Sequence, residues 1–316
     1  MELRSRYRKA AGRPASAYRQ EGRRCFSTVF TAGKHTESAA YERVWGRASF
    51  QKERHMIIGI IYFVVISLAC VLGAIVGLGG GVFIRPIFDA IGYHNVLNIN
   101  FFSSTAILTM AIVSTVKKMK DGLALKPSTA ILISSGAVIG GILGDTLLRF
   151  LVRNMDAEHN VQFAQIIVTI VVLAISIFAT TKSNLRYEIK QKAILPIIGV
   201  GLGAIATFLG IGGGPINVPI LMIFFGLPIK TATAYSIVII FFSHAARIIT
   251  MGVTQGYGYF DLRLLPFIIV AAMIGGLVGA NLSRVFSEGV VKKLFIAALL
   301  AVIVLNSYNG IMILLR

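Results

Sequence analysis

The sequence predicts an all-α protein, a multi-pass transmembrane helical bundle of two homologous repeats with glycine-broken helices. Three observations lead to this prediction. First, 56% of the 316 residues are hydrophobic and only 14% are charged. Second, apolar runs of about twenty or more residues, long enough to cross a bilayer, recur from Met56 to the C-terminus. Third, glycine-rich runs at 77–81 (GLGGG) and 210–214 (GIGGG) each interrupt a long apolar segment.

Residues 1–55 form a polar, basic tail, which we expect to be disordered or weakly structured and dispensable. The tail holds 13 Lys and Arg against 5 Asp and Glu, and it shows no sustained apolar periodicity. An arginine-rich composition is also typical of organelle-targeting peptides, so targeting stays open as the weaker alternative. The formal net charge of +18 does not indicate nucleic acid binding, because the basic residues lie in the tail and in short loops rather than on one face.

The apolar segments follow in order along the chain. As one helix, residues 56–92 would extend about 55 Å against a hydrocarbon core of roughly 30 Å, so the glycines at 77–81 are the natural place for a bend or a re-entry. Residues 193–225 are again too long for one span and are again broken by glycines. The other predicted spans are 96–116, 127–148, 161–181, 229–253, 264–286 and 290–315.

An internal repeat relates the two halves of the chain. The glycine runs match, the prolines that follow them match as Pro86 and Pro219, and Ser103 matches Ser236 without a gap. After two inserted residues, the sequence IGGILG at 139–144 matches IGGLVG at 274–279. The matches predict a first transmembrane repeat at 56–181, a basic linker at 182–192 and a second transmembrane repeat at 193–316.

The basic residues of the loops predict the orientation. If each long segment crosses the membrane once, the basic residues at 52–54, 117–126 and 182–192 fall on one side, which should be cytoplasmic. Eight crossings with both termini cytoplasmic result. The loop with Arg284 and Lys292 then falls on the opposite side, against the same rule. If a glycine break makes a segment cross twice or re-enter, the number of crossings and the relation between the halves change.

The paired glycine runs, the following prolines and the duplicated four-span unit resemble the sulfite exporter TauE/SafE family. The resemblance covers about residue 57 to the C-terminus and leaves out the tail. It implies a multi-pass permease of the bacterial inner-membrane type. It also implies substrates such as sulfite, sulfonates and other small organic anions, and substrates vary within the family.

The two glycine runs are the first candidates for a substrate site. Broken helices in transporters direct backbone N–H groups and a positive dipole end toward an anion, and two breaks at corresponding positions of two halves indicate the binding site. The alternative is that these small residues only let helices pack closely. The predicted substrate contacts from the two runs are Gly77, Gly79, Gly80, Gly81, Gly210, Gly212, Gly213 and Gly214.

Small polar residues follow each glycine run and align in the repeat. Asn100 matches Thr233, and Ser103 matches Ser236. Their side chains are candidates to bind anion oxygens or to line a path through the protein. The alternative is hydrogen bonding between helices, which is common in membrane proteins.

Ionisable residues within apolar spans are energetically expensive, which makes them functional candidates. Arg85 follows the first glycine run by four residues. We expect it to bind the anion, with an ion pair to Asp89 as the alternative. Asp145, His244 and Arg247 are candidates for coupling to a driving ion. Their alternatives are a position at a loop edge for Asp145, a side chain that reaches the membrane interface for Arg247 and ordinary hydrogen bonding for His244.

The sequence points away from an enzyme. It shows no nucleophilic Ser or Cys arrangement, no metal-ligand cluster and no cofactor motif, and the glycine runs lack the Lys-Ser/Thr of a phosphate-binding loop. We therefore expect a secondary transporter, an exporter of small sulfur-containing or organic anions. A passive anion channel or a non-transporting membrane assembly protein is the alternative. The expected partners are the anion and the lipid bilayer, with no nucleic acid, and a homo-oligomer is left open.

Overall fold

The structure is a computed structural model that describes residues 56–122, 126–154, 158–181, 191 and 193–315. The predicted basic tail and most of the predicted linker lie outside these residues. Contacts divide the chain into Met1–Ile58 and Gly59–Arg316, and the account below concerns the second unit.

The described part of the chain is helical and contains no strand, as the composition predicts. Its ten helices are α1 Met56–Val76, α2 Gly81–Ile91, α3 Val96–Lys120, α4 Pro127–Asn154, α5 Glu158–Thr181, α6 Ile194–Leu209, α7 Gly214–Phe225, α8 Ile229–Gln255, α9 Leu265–Val285 and α10 Glu288–Leu314. Two short 3₁₀ turns, Tyr257–Tyr259 and Leu262–Leu264, join α8 to α9. Six helices (α1, α3, α4, α5, α8 and α9) are long and apolar enough to cross a membrane. The all-α, multi-pass membrane prediction is confirmed.

Helices α1 and α2 form a hairpin rather than one bent span. Tyr62, early in α1, stacks on Phe88 of α2 at 3.8 Å between ring centroids, and its hydroxyl lies 2.8 Å from His94 Nδ1. Late in α1, the carbonyl of Ala74 accepts a hydrogen bond of 3.1 Å from Lys118 Nζ, near the end of α3. We call the end of the helix bundle at residues 92–95 the His94 end. The opposite end, at residues 121–122 and 126, is the Lys118 end. Helix α1 therefore runs toward the Lys118 end, and α2 returns to the His94 end.

The second five helices run in the opposite sense to the first five. Methyl groups placed on Gly199 and Gly203 of α6 would overlap the carbonyl oxygens of Ile133 and Ala137 of α4. Since the numbering rises together in both helices, α6 is parallel to α4 and starts at the Lys118 end. Helix α1, its sequence counterpart, starts at the His94 end. Helices α1–α5 lie within 56–181 and α6–α10 within 193–316.

Helices α7, α8 and α9 also run in the opposite sense to their counterparts in the first half. Helix α8 starts at the Lys118 end, where the hydroxyl of Tyr235 accepts a hydrogen bond of 2.6 Å from the Lys126 backbone N–H. Helix α9 is parallel to α1, because Ser67 Oγ donates to the Ala271 carbonyl and Ser283 Oγ donates to the Ile75 carbonyl. Helix α7 is therefore a short return helix, as α2 is in the first half.

These directions correct the expected topology. Each glycine-broken segment turns back, so the expectation of one crossing per long segment, and hence of eight crossings, is wrong. Arg284, expected opposite the lysine loops, lies with them: its Nη1 is 3.5 Å from Asp121 Oδ1, and Lys230 Nζ donates to its carbonyl. Helix α1 begins and α10 ends at the His94 end, where Asn309 Nδ2 donates to the Pro86 carbonyl at 2.7 Å. The start of α1 and the end of α10 therefore do not lie on the side of the lysine loops, and the termini themselves lie outside the described residues.

Candidate functional site

The structure brings the two glycine runs into contact. A methyl group placed on Gly79 would lie 3.6 Å from Gly212 Cα, and one placed on Gly214 would overlap the Leu78 backbone. Gly77 and Gly210 occupy equivalent positions, directly after the last residues of α1 and α6, with φ angles of 72° and 67°. L side chains rarely adopt this left-handed conformation, which ends a helix and reverses the chain.

Reciprocal hydrogen bonds hold each glycine run to the other half. Ser103 Oγ donates to the Gly210 carbonyl at 3.0 Å, and its sequence counterpart Ser236 donates to the Gly77 carbonyl at 2.7 Å. A break in a helix leaves carbonyls without their usual N–H partners, and these serines supply the missing donors. Both serines therefore make hydrogen bonds between helices, which the sequence analysis gave as the alternative to binding anion oxygens.

Asn100 and Thr233 are also an aligned pair, and each lies beside the glycine run of the other half. A methyl group placed on Gly210 would overlap Asn100 Oδ1, and one placed on Gly77 would lie 2.6 Å from Thr233 Cα. Thr233 Oγ1 donates to the Lys230 carbonyl at 2.7 Å. The predicted polar residues therefore surround the glycine runs, although they come from distant parts of the chain.

Arg85 is buried and is held by protein groups on all sides. Its Nη1 donates to Asn100 Oδ1 at 3.0 Å and to the Leu209 carbonyl, and its Nη2 donates to Gln165 Oε1. Its Nε lies 3.6 Å from Asp89 Oδ2. The structure therefore contains the Arg85–Asp89 pair of the alternative interpretation. Arg85 ties α2 to the end of α6, directly before the second glycine run.

Gln165 is a site residue that sequence reasoning missed. It lies in α5, is 2% exposed, and its Nε2 donates to the Phe208 carbonyl at 2.6 Å. Gln165 and Arg85 together satisfy two backbone carbonyls at the end of α6, where intrahelical donors run out. The available signal was a glutamine inside an otherwise apolar span.

Asp145 and Arg247 form a fully buried ion pair, with 3.1 Å between Asp145 Oδ1 and Arg247 Nε. The alternatives of a loop-edge position for Asp145 and of an interfacial position for Arg247 are therefore wrong, since both side chains are buried and Asp145 lies inside α4. Arg149 lies 3.1 Å from the other carboxylate oxygen of Asp145 and also donates to Thr254 Oγ1. Arg149 follows Asp145 by four residues, a spacing that is typical of a helical ion pair.

Several buried polar atoms have no hydrogen-bond partner within the described residues. They include Nη1 and Nη2 of Arg247 and both ring nitrogens of His244. The two residues are both 0% exposed and lie three positions apart on α8, so they share a helix face. The alternative of ordinary hydrogen bonding for His244 is thus not what the structure contains. A buried polar atom without a partner costs about 1–3 kcal/mol, which makes this face of α8 suited to a polar ligand.

The buried charges beside the second glycine run do not balance. Among the described residues, the guanidinium groups of Arg85, Arg149 and Arg247 face the carboxylates of Asp89 and Asp145, three positive groups against two negative ones. Arg85 and Arg149 both lie within electrostatic range of Arg247.

The other half of the repeat lacks these charges. The sequence counterpart of Arg85 is Val218, and the counterpart of Arg247 is Ser114. Neither arginine is therefore required by the repeated fold itself. A buried excess of positive charge is unfavourable by itself and favours binding of an anion.

Cavities lie toward both ends of the bundle. One of about 190 Å³ at the His94 end is lined by residues that include Asp89, His94, Asn95, Gln162, Tyr308 and Asn309. Another of about 200 Å³ at the Lys118 end is lined by residues that include Lys118, Asp121, Lys230, Ser283 and Arg284. The cavity at the His94 end is lined by Asp89 and therefore reaches the Arg85–Asp89 ion pair. Within the described residues, no group of three or more His, Cys, Asp and Glu could hold a metal ion.

Comparison with known proteins supplies the family. The model of the family described as "Sulfite exporter TauE/SafE" matches residues 62–305. Two similar proteins, from Paramagnetospirillum magneticum and Magnetospirillum gryphiswaldense, are each named "Probable membrane transporter protein MamO". Both are 29% identical over 111 residues, which is 34% of this chain but only 17% and 18% of the relatives' own lengths. No solved structure matches this chain.

The family match and the fold agree on a membrane transporter. The matched residues include both glycine runs, the buried arginines and all six helices that are long enough to span, except the start of α1. Because the family model covers well over half of the sequence, the chain belongs to the sulfite exporter TauE/SafE family.

Proposed function

We propose that this protein is a secondary transporter that exports small sulfur-containing or organic anions, such as sulfite or sulfonates. The observation that carries the proposal is the excess of buried positive charge in the part of the chain that the structure describes, where Arg85, Arg149 and Arg247 face only Asp89 and Asp145. Such a site attracts an anion and repels a cation. Family membership supports both the transported class and the direction of export.

The architecture supports a transport cycle. Two sets of five helices run in opposite senses and meet at the glycine runs, and inverted halves with broken helices are a common transporter design. In that design one half rocks against the other, and the central site opens to each side in turn. The cavities toward the His94 and Lys118 ends support the proposal, because such a cycle requires an entrance at each end. We propose that a proton gradient or the membrane potential drives the net flux.

We propose that the Lys118 end faces the cytoplasm of a cell with this protein in its inner membrane. Lys117, Lys118, Lys120, Lys230 and Arg284 lie at that end, and cytoplasmic loops carry an excess of Lys and Arg. The beginning of α1 and the end of α10 then face the opposite side. Arg284, which the sequence-based topology placed on the opposite side, then also lies on the cytoplasmic side with the other basic residues.

Flux measurements test the function. The purified full chain is reconstituted into liposomes, and radioactive sulfite efflux is measured with and without imposed proton and potential gradients. A secondary transporter gives saturable flux that changes with the gradient. Non-saturable, gradient-independent flux would instead indicate a passive channel, and no flux of sulfite, methanesulfonate or acetate would indicate a non-transporting membrane protein.

Cysteine labelling tests the orientation. Cys70 is buried, so a Cys25→Ser background has little reactivity of its own toward a membrane-impermeant maleimide. In intact cells we expect His94→Cys to be labelled from outside and Lys126→Cys to be labelled only after lysis. The reverse pattern would refute the proposed orientation while leaving the transport proposal standing.

A further inference from the structure

We infer that Arg247 and His244 of α8 form the anion-binding site, in which the Arg247 guanidinium holds an oxyanion through Nη1 and Nη2 together. Arg85, the arginine favoured by the sequence, then has a structural role. The inference rests on the proposed function and names the residues and the ligand chemistry of its substrate site.

The orientation of Arg247 carries the inference. Its Nε is held by Asp145 Oδ1 at 3.1 Å, and Arg149 holds the second oxygen of the same carboxylate. This arrangement fixes the plane of the guanidinium but leaves Nη1 and Nη2 without partners within the described residues. A planar guanidinium with two free nitrogens matches the two oxygens of a carboxylate, a sulfite or a sulfonate. Arg85 differs because both of its terminal nitrogens already donate to protein groups.

Close packing of α4 against α8 sets up this geometry. A methyl group placed on Gly141 of α4 would lie 2.7 Å from the Ser243 carbonyl oxygen of α8. Asp145 and Arg247 each lie four residues, about one turn, beyond that contact, so the glycine brings the carboxylate within reach of Nε. The site is therefore held on two rigid helices, which favours a well-defined ligand geometry.

His244 supplies a second group on the same face of α8. It is fully buried, and neither ring nitrogen has a partner within the described residues. A neutral imidazole has one N–H donor, which can bind an oxygen of the same anion that Arg247 holds. Within the described residues the buried guanidinium groups outnumber the carboxylates by one, which favours a ligand with a single negative charge. Small monovalent oxyanions such as hydrogen sulfite, a sulfonate or a carboxylate meet all of these requirements.

Binding measurements with the purified full chain test the assignment. Calorimetric titrations use sulfite as the bidentate probe and chloride as the monodentate probe. Arg247→Lys keeps the charge but loses the planar fork, so we expect sulfite affinity to fall about tenfold or more while chloride affinity changes little. His244→Leu should weaken sulfite binding, whereas His244→Gln, which retains a donor, should weaken it less.

Two arginine variants serve as controls. Arg153 is an exposed arginine in the last turn of α4, and Arg153→Gln should leave both affinities unchanged. Arg85→Lys should lower the melting temperature without altering the ratio of sulfite to chloride affinity. A merely structural role for Arg247 would give the same result as Arg85→Lys, so the affinity ratio distinguishes the two roles.

The outcomes separate the site from the function. If the wild type transports sulfite, and Arg247→Lys keeps the wild-type affinity ratio and KM, the assignment of Arg247 is overturned while the transporter proposal stands. If the wild type neither binds nor carries any probe anion, the proposed function itself fails. Should Arg247→Lys not fold, the two His244 variants still decide the question, because equal sulfite affinity in His244→Leu and the wild type would overturn the assignment of this face of α8.

Discussion

Placing a single methyl group between α1 and the first glycine run tests how that run is positioned. In Gly73→Ala the new Cβ would lie 2.6 Å from Gly80 N and 2.7 Å from the Gly79 carbonyl carbon. Comfortable contacts between such atoms are about 3.5–4.0 Å, so the glycine run must shift by about 1 Å. The blocking atoms belong to the backbone and cannot rotate away. The shift would disturb the neighbouring contact of the run with Gly212.

The expected magnitude combines two opposing effects. Alanine is a better helix former than glycine by about 1 kcal/mol, whereas overpacking against backbone costs about 3 kcal/mol at the upper end of its usual range. The net loss is about 2 kcal/mol, or roughly 3 °C in melting temperature for a chain of 316 residues at about 2.1 cal/mol/K of unfolding entropy per residue. Gly201→Ala is the matched control, because a methyl group there meets nothing within 4 Å, and it should be neutral or stabilising.

Gly73→Ala and Gly201→Ala are compared by thermal unfolding in detergent and by sulfite flux in liposomes. We expect Gly73→Ala to melt below the wild type and to transport more slowly, while Gly201→Ala does neither. A melting temperature for Gly73→Ala equal to that of Gly201→Ala would show that the glycine run does not lie against α1 as described.

Three further predictions follow from the polar contacts. Ser103→Ala and Ser236→Ala should each destabilise the protein by about 1–3 kcal/mol in chemical or thermal unfolding, because each leaves one glycine-run carbonyl without a donor. A large difference in stability between the two variants would argue against equivalent roles of the two serines. Asp145→Asn should lower the free energy of unfolding by about 3–5 kcal/mol in the same assay, since it leaves two buried arginines without their counter-ion. An unchanged melting temperature would contradict the buried Asp145–Arg247 ion pair. The hydrogen bond from Lys117 lowers the pKa of Asp121, so the stability that this carboxylate contributes is present at neutral pH and is lost as the pH falls through its folded-state pKa. Asp121→Asn should therefore lower the melting temperature at neutral pH but not in acid, and a pH-independent effect would refute this cause.

The sequence by itself determined the class of the fold and the positions of the helix breaks. Long apolar runs predict membrane helices because the bilayer core offers no water for backbone groups, and the structure has six helices that meet this requirement. The glycine runs marked places where the chain leaves the helix, since only glycine adopts the left-handed conformation of Gly77 and Gly210 at little cost. The aligned serines, Ser103 and Ser236, identified the two residues that make equivalent contacts.

Only the tertiary structure decided the direction of each chain segment after its break. A left-handed glycine permits a reversal but does not require one, so hydropathy could not tell a bent span from the α1–α2 hairpin. That choice sets the number of crossings, the opposite senses of the two halves and the end at which Arg284 lies.

The partners of the buried arginines were likewise decided by tertiary contacts. The groups that hold Arg85 include Gln165 and the Leu209 carbonyl, which are 80 and 124 residues away in the sequence. Asp145 and Arg247 are separated by 102 residues and meet because Gly141 lets α4 approach α8. Among the described residues, Arg85 is fully hydrogen-bonded and Arg247 has two nitrogens without partners. This difference depends on which side chains distant helices bring to each guanidinium, and no local sequence pattern determines it.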